Sequence, residues 1–100
     1  MDRMPGEEVN APIRLAATPV PDVRAIESLF ARKVGFGFRV TIHVQADPEM
    51  SPREAHVLSG RVERAIRTAV PQVGLVLVHM ESIEPDGAVS TVEPARAAHP

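Results

Sequence analysis

Phe38-Arg39-Val40-Thr41-Ile42-His43-Val44-Gln45-Ala46 is the stretch on which the fold turns. Phe38, Val40, Ile42, Val44 and Ala46 alternate with Arg39, Thr41, His43 and Gln45. A period of two is the pattern of a strand with one face in a core and the other turned outward. Asp47-Pro48-Glu49-Met50 ends the alternation, because proline cannot donate to a sheet.

Immediately upstream, Gly35-Phe36-Gly37 reads as a hairpin turn, and Val23–Val34 reads as an extended, β-branched run leading into it. Thr18-Pro19-Val20-Pro21-Asp22 breaks the chain, since proline disfavours helix in the residue before it. Ahead of that lies a helical pattern from Glu7 to Thr18, with Val9, Ile13 and Leu15, interrupted by Pro12.

Downstream, Ser51, Pro52 and Glu54 form a capping box with proline at the first helical position. Behind it Ala55, Leu58, Val62, Ala65, Ile66 and Ala69 recur at intervals of three and four, the apolar stripe of a helix. Arg53, Arg61, Arg64 and Arg67 lie roughly opposite and read as a solvated face. Pro71 stops the helix. Leu75-Val76-Leu77-Val78 is a short apolar strand ending at His79-Met80-Glu81. The expected organisation is one domain over residues 1–82, followed by a flexible C-terminal tail over 83–100.

The order α-β-β-α-β fixes a topology. A helix between the second and third strands implies a right-handed crossover, so those strands run parallel, while the first two form an antiparallel hairpin. The expected fold is α+β, an open ferredoxin-like sandwich: a three-stranded mixed sheet with two helices on one face. Its other face must meet water or a partner, and dimerisation buries more surface for so small a domain.

Composition narrows the function. The 100 residues carry a net charge of −2, three aromatics that are all Phe, and no Trp or Tyr. Binding to a phosphate backbone runs on excess Lys and Arg, and single-stranded bases need stacking platforms, so nucleic acid is set aside. No run approaches the ~18 apolar residues of a membrane span, so direct membrane insertion is not expected. No apolar signal segment follows Met1, and cytoplasm is the default compartment. With no cysteine, any metal must be held by His, Asp, Glu and water.

Three of the four histidines sit where chemistry is conceivable. His43 is on the polar side of the central strand. His79 and Glu81, two apart, share a face of the last strand. His56 lies at the second turn of the long helix. A single His on a polar strand face is ordinarily a surface residue; three imidazoles and a carboxylate converging on one sheet edge would suit zinc, or cobalt, nickel or manganese. His99 stands in the polar tail. Ser51 is accounted for as a cap, no serine has a base paired with it in sequence, and Gly35-Phe36-Gly37 does not open a helix as a phosphate loop does. An enzyme is not expected.

Several of these stretches resemble the cytoplasmic C-terminal domain of the cation diffusion facilitator (cation efflux) family. They are Val23–Gly35 with its Ala31-Arg32-Lys33-Val34-Gly35 end, Val40-Thr41-Ile42-His43-Val44 running to Asp47-Pro48, Ser51-Pro52-Arg53-Glu54-Ala55-His56, and Val78-His79-Met80-Glu81. Met1-Asp2-Arg3 is similar to the end of the membrane helix where that domain begins. The resemblance implies a metallochaperone-like fold and a V-shaped homodimer that metal at or near the interface tightens. It also implies a sensor or regulatory role, with a membrane cation transporter as partner. Carried over by position, His43, His56, His79 and Glu81 match metal ligands, with Glu27 where the first strand often supplies a His. Glu81 stands where the family has Asp. Zn2+ is the expected ion, with Cd2+, Co2+, Ni2+, Mn2+ and Fe2+ as alternatives. The family's six membrane helices have no counterpart here, so this chain does not itself transport; it is an excised domain or a free-standing relative, and the native-looking Met1 favours the second. The competing reading is a metal-independent protein or small-molecule interaction module on the same scaffold.

Overall fold

A computed structural model describes residues 6–83 and 89–91. The elements run α1 (Glu7–Ala17), β1 (Ala25–Val34), β2 (Gly37–Ala46), α2 (Pro52–Ala69), β3 (Val73–Ile83) and β4 (Val89–Thr91). The expected α-β-β-α-β order is present, with a short fourth strand added.

The central strand buries Val40, Ile42, Val44 and Ala46 and leaves the intervening residues at least partly open. It pairs antiparallel with β1, so that Leu29 faces Ile42 and Ala31 faces Val40, and parallel with β3, so that His43 faces His79. The hairpin between β1 and β2 closes at Val34 and Gly37, and Gly35 takes φ +59°. A positive φ at the first of two central residues is the sign of a type II′ turn, which glycine enters without steric cost.

The sheet is irregular at two places. Ile26 faces Val44 but Ser28 faces His43, so Glu27 is the extra residue of a bulge in β1. Phe38 faces Val73 but Val40 faces Val76, which adds a residue to β3 and lets both Val73 and Val76 enter the core.

Helix α2 starts as its capping box dictates: Ser51 Oγ accepts from the Glu54 amide at 3.1 Å, and the Glu54 carboxylate accepts from the Ser51 amide at 2.9 Å. It buries Leu58, Val62 and Ile66. α1 continues through Pro12, where a break was anticipated. The missing N–H costs it one bond near its start, and burial of Ile13 and Ala17 against β1 and α2 offsets that loss. These residues join those of the sheet in one core cluster, which puts both helices on one face.

β3 is longer than its apolar run, because His79, Met80 and Glu81 continue the ladder beside β2. β4 pairs antiparallel with its end, Glu81 facing Thr91, so the segment expected as a tail contains a strand. The remainder of that expected tail, 84–88 and 92–100, lies outside the described residues, as does His99. No described helix is long and apolar enough to cross a membrane.

Two glycines give a test of this packing. A Cβ at Gly37 would lie 2.6 Å from the backbone oxygen of Gln72, the acceptor for the Phe38 amide at 3.0 Å. Gly60, inside α2, has nothing within 4 Å of that position. Gly37→Ala should destabilise the domain by about 1–3 kcal/mol. Gly60→Ala should stabilise it by roughly 0.5–1 kcal/mol by removing backbone entropy from the unfolded chain. Urea unfolding of both variants reads the sign; equal effects would contradict the close approach at Gly37.

Candidate metal centre

Parallel register builds the site. His43 on β2 and His79 on β3 are direct partners, and their rings stack with centroids 4.7 Å apart and planes 11° from parallel. Glu81 is two residues beyond His79, diagonal to His43 and within reach of its ring. Its Oε2 lies 2.6 Å from His43 Nδ1. The side chain of His43 is about a quarter exposed (28%), whereas Glu81 is buried at 6%. β2 and β4 flank β3 on both sides at Glu81.

Two features of this cluster carry chemistry. The short contact between Nδ1 and the carboxylate requires a proton between them, and with that proton on Nδ1 a neutral His43 ring presents its lone pair at Nε2. A carboxylate holding one ring nitrogen and thereby aiming the other is the usual support for a metal-binding imidazole. The second feature is Glu81 Oε1, which is buried and has no hydrogen-bond partner among the described residues. An unpaired buried carboxylate oxygen costs about 1–3 kcal/mol, and such exceptions commonly mark a bound ion, a water or a functional site. Glu81 also lines a cavity of about 90 Å³ between the end of β2 and the start of α2, with Met50, Ser51 and Met80.

The remaining expected ligands do not join this cluster in a metal-holding group. Glu27 is exposed at the β1 bulge, and His56 is exposed on α2. Among the described residues no group of three or more His, Asp or Glu side chains is arranged to hold a metal ion. The stacked rings explain part of this, because imidazole lone pairs lie in the ring plane. Nearly parallel rings direct them side by side and not at one point. One chain therefore offers two imidazoles and a half-satisfied carboxylate, a donor set of the right kind that is incomplete as a tetrahedral site.

The sequence pattern did not reveal the surroundings of these donors. Phe30, Leu75 and Leu77 are about half exposed, at 53%, 46% and 48%. Phe30 faces Thr41, which faces Leu77, so an apolar row crosses the open face next to the row Ser28–His43–His79. The alternation of β3 was hidden because both of its faces are apolar between Leu75 and Val78.

A family model described as "Cation efflux protein, cytoplasmic domain" matches residues 5–83. A solved form of the MamM C-terminal domain is 32% identical with a TM-score of 0.73, covering 78% of this chain and 96% of that chain. A nickel form of the same domain is 29% identical with a TM-score of 0.74, covering 79% of this chain and 100% of that chain. Another solved variant is 31% identical at a TM-score of 0.74, covering 78% and 98%. No curated protein matches the sequence.

The histidine–glutamate contact is testable without metal. Glu81→Ala and His43→Ala in a double-mutant cycle should give a coupling of about 1–3 kcal/mol, as expected of a hydrogen bond involving a charged group. Urea unfolding in chelator measures it. Strictly additive losses would mean that the two side chains do not hold one another.

Proposed function

The chain belongs to the cation efflux protein cytoplasmic-domain family, and on that premise we propose that it is a divalent transition-metal-binding regulatory domain whose site is completed when two copies associate. The observation that carries this reading is the cluster of His43, His79 and Glu81, with a buried carboxylate oxygen that has no hydrogen-bond partner among the described residues. Membership places the domain on the cytoplasmic side of a cation efflux system.

In this proposal His43, through Nε2, and His79 are the imidazole ligands of each copy. Glu81 orients His43 and gives its free oxygen either to the ion or to its water. His56 and Glu27, exposed and outside the cluster, are the candidates to complete the site from α2 or from the second copy. The apolar row of Phe30 and Leu77 beside the histidines supplies an area that association would bury. Metal, when bound, supplies a dipositive cross-link between copies; the protein's part is to hold neutral imidazoles and one carboxylate where like charges of two chains would otherwise repel. Nitrogen and oxygen donors without thiolate suit zinc and nickel alike, and the nickel form of the similar MamM domain supports an ion of this class. Zinc remains the proposed ion. A membrane cation transporter is the proposed partner.

Calorimetric titration with zinc chloride and with nickel chloride tests the reading, alongside light scattering of the apo and metal-loaded protein. Metal that binds only the folded form stabilises it by about 2.7 kcal/mol at a hundredfold excess over the dissociation constant. At roughly 4–8 °C per kcal/mol for a domain of this size, the expected rise in Tm is on the order of 10 °C. His79→Ala should abolish most of that rise, and scattering should report a dimer that metal makes more compact. If neither ion moves the melting curve or the scattering, the metal reading fails and the metal-independent interaction module replaces it.

A further inference from the structure

The turn between β1 and β2 presents a side chain with no structural use. Phe36 is fully exposed, at 103%. It sits between Gly35 and Gly37 at the tip of a tight turn, next to Val34, which is 52% exposed. Nothing in the core needs it, yet the turn is held firmly. Val34 pairs with Gly37, and the Phe38 amide bonds to the Gln72 oxygen at 3.0 Å.

Charge around this tip is one-sided. From Ser28 to Ala46 the sequence contains no Asp or Glu, while Arg32, Lys33 and Arg39 are all present and exposed. From the neighbouring β3 and α2, the charged groups at this end include Arg64, Arg67, which bonds to the Gly74 oxygen, and Glu63, which pairs with Arg67. Four acids lie at the far end of β2. Asp22, Asp47, Glu49 and Glu54 line one concavity there, with Arg24 paired to Asp47. A ten-residue strand at about 3.3 Å per residue separates the two ends by roughly 30 Å. Among the described residues the sheet is thus polarised, acidic at one end and basic with an exposed aromatic at the other.

We propose that the β1–β2 hairpin is a contact for an anionic phospholipid surface: Phe36 enters the boundary between headgroups and acyl chains, and Arg32, Lys33 and Arg39 face the lipid phosphates. An apolar tip flanked by cations is the two-signal arrangement that gives reversible interfacial binding, where either signal alone is weak. The hairpin lies on the bilayer surface, and no described helix is long and apolar enough to cross it. Polarisation orients the approach, since the acidic end is repelled by the surface that attracts the hairpin. An acidic protein would also find the cations attractive, but it gives no reason for a lone, fully exposed Phe at the apex of a rigid turn.

The full chain, in chelator to exclude metal effects, is tested against vesicles of phosphatidylcholine with and without phosphatidylserine. Because the sequence has no Trp or Tyr, Phe36→Trp introduces a single fluorophore at the tip. Its emission should shift to the blue on serine-containing vesicles and be quenched by brominated acyl chains, with little change on neutral ones. In co-sedimentation, Phe36→Ser should lower the partition about tenfold. Arg32→Gln and Lys33→Gln should each lower it about fivefold, and added salt should weaken binding in the same direction. No shift on anionic vesicles overturns the proposal. So does a shift without acyl-chain quenching, or equal sedimentation of Phe36→Ser and wild type. Displacement of the protein from vesicles by polyglutamate, with an equal blue shift on polyglutamate alone, would reassign the hairpin to an acidic protein partner.

Discussion

Parallel pairing of β2 with β3 is the constraint from which the rest of the molecule follows. Parallel neighbours cannot be joined by a tight turn, so the chain must cross over the sheet, and α2 with its Leu58–Val62–Ile66 stripe is that crossover. Right-handedness of the crossover puts α2 on the same face as α1 and leaves the other face open. The register then sets the chemistry. Because side chains alternate, a slip of one residue would turn His79 and Glu81 into the core and Met80 out of it, at the cost of burying two polar groups without partners. The apolar side of β2 thus selects the register, and the polar side inherits the pairing of His43 with His79.

Given that register, the burial of Glu81 is the least economical feature of the domain. A carboxylate at 6% exposure with one oxygen bonded and the other unsatisfied is a net expense to a fold whose stability is of order 5–15 kcal/mol. Strain of this kind persists where the surrounding structure over-determines it, and here β2 and β4 flank the strand on both sides. The stacked imidazoles have the same character: they are favourable as a neutral pair, and their lone pairs do not converge. In the proposed reading the resting cluster is a half-assembled donor set, to be completed from another element or from a second copy.

Much of this was legible from residue order because the physical signals were strong. Strict alternation from Phe38 to Ala46, a capping box at Ser51 and Glu54, and helical periodicity behind it each permit only one element, and together they imply the crossover and the parallel pair. Strand parity put His79 and Glu81 on one face and His43 on the polar side of the central strand, whereas their choice as candidate ligands rested on the family resemblance. What escaped were features decided by local irregularity or by tertiary burial. A bulge carries no motif, so nothing in the sequence set Glu27 apart from its neighbours in β1. His56 sits near the helix start in sequence, but whether it reaches the sheet depends on the rotation of α2, which its apolar stripe sets to turn that residue outward. Pro12 is a helix breaker by propensity and is overridden by the burial of Ile13 and Ala17. β4 is three residues long and exists only as a partner for β3.

The two ends of β2 also limit how the proposed activities can influence one another. His43 and the turn at Gly35-Phe36 are joined by one strand, which pairs with β1 from Gly37 to Gln45 and with β3 from Phe38 to Ala46, each ladder carrying one irregularity. Cooperative hydrogen bonding makes such a segment move as a body, so an ion at the histidines has no flexible joint through which to displace the hairpin within one copy. In the proposed dimer, coupling between the sites would pass through the angle between the two copies, where a ligand shared by both acts. An ion that closes the copies together would tilt both hairpins at once, and a surface that holds both hairpins would in turn favour one angle. Reciprocity of binding free energies requires the two effects to be equal in size. A chain unable to associate would bind ion and surface independently, and this difference separates a coupled pair of sites from two neighbours on one strand.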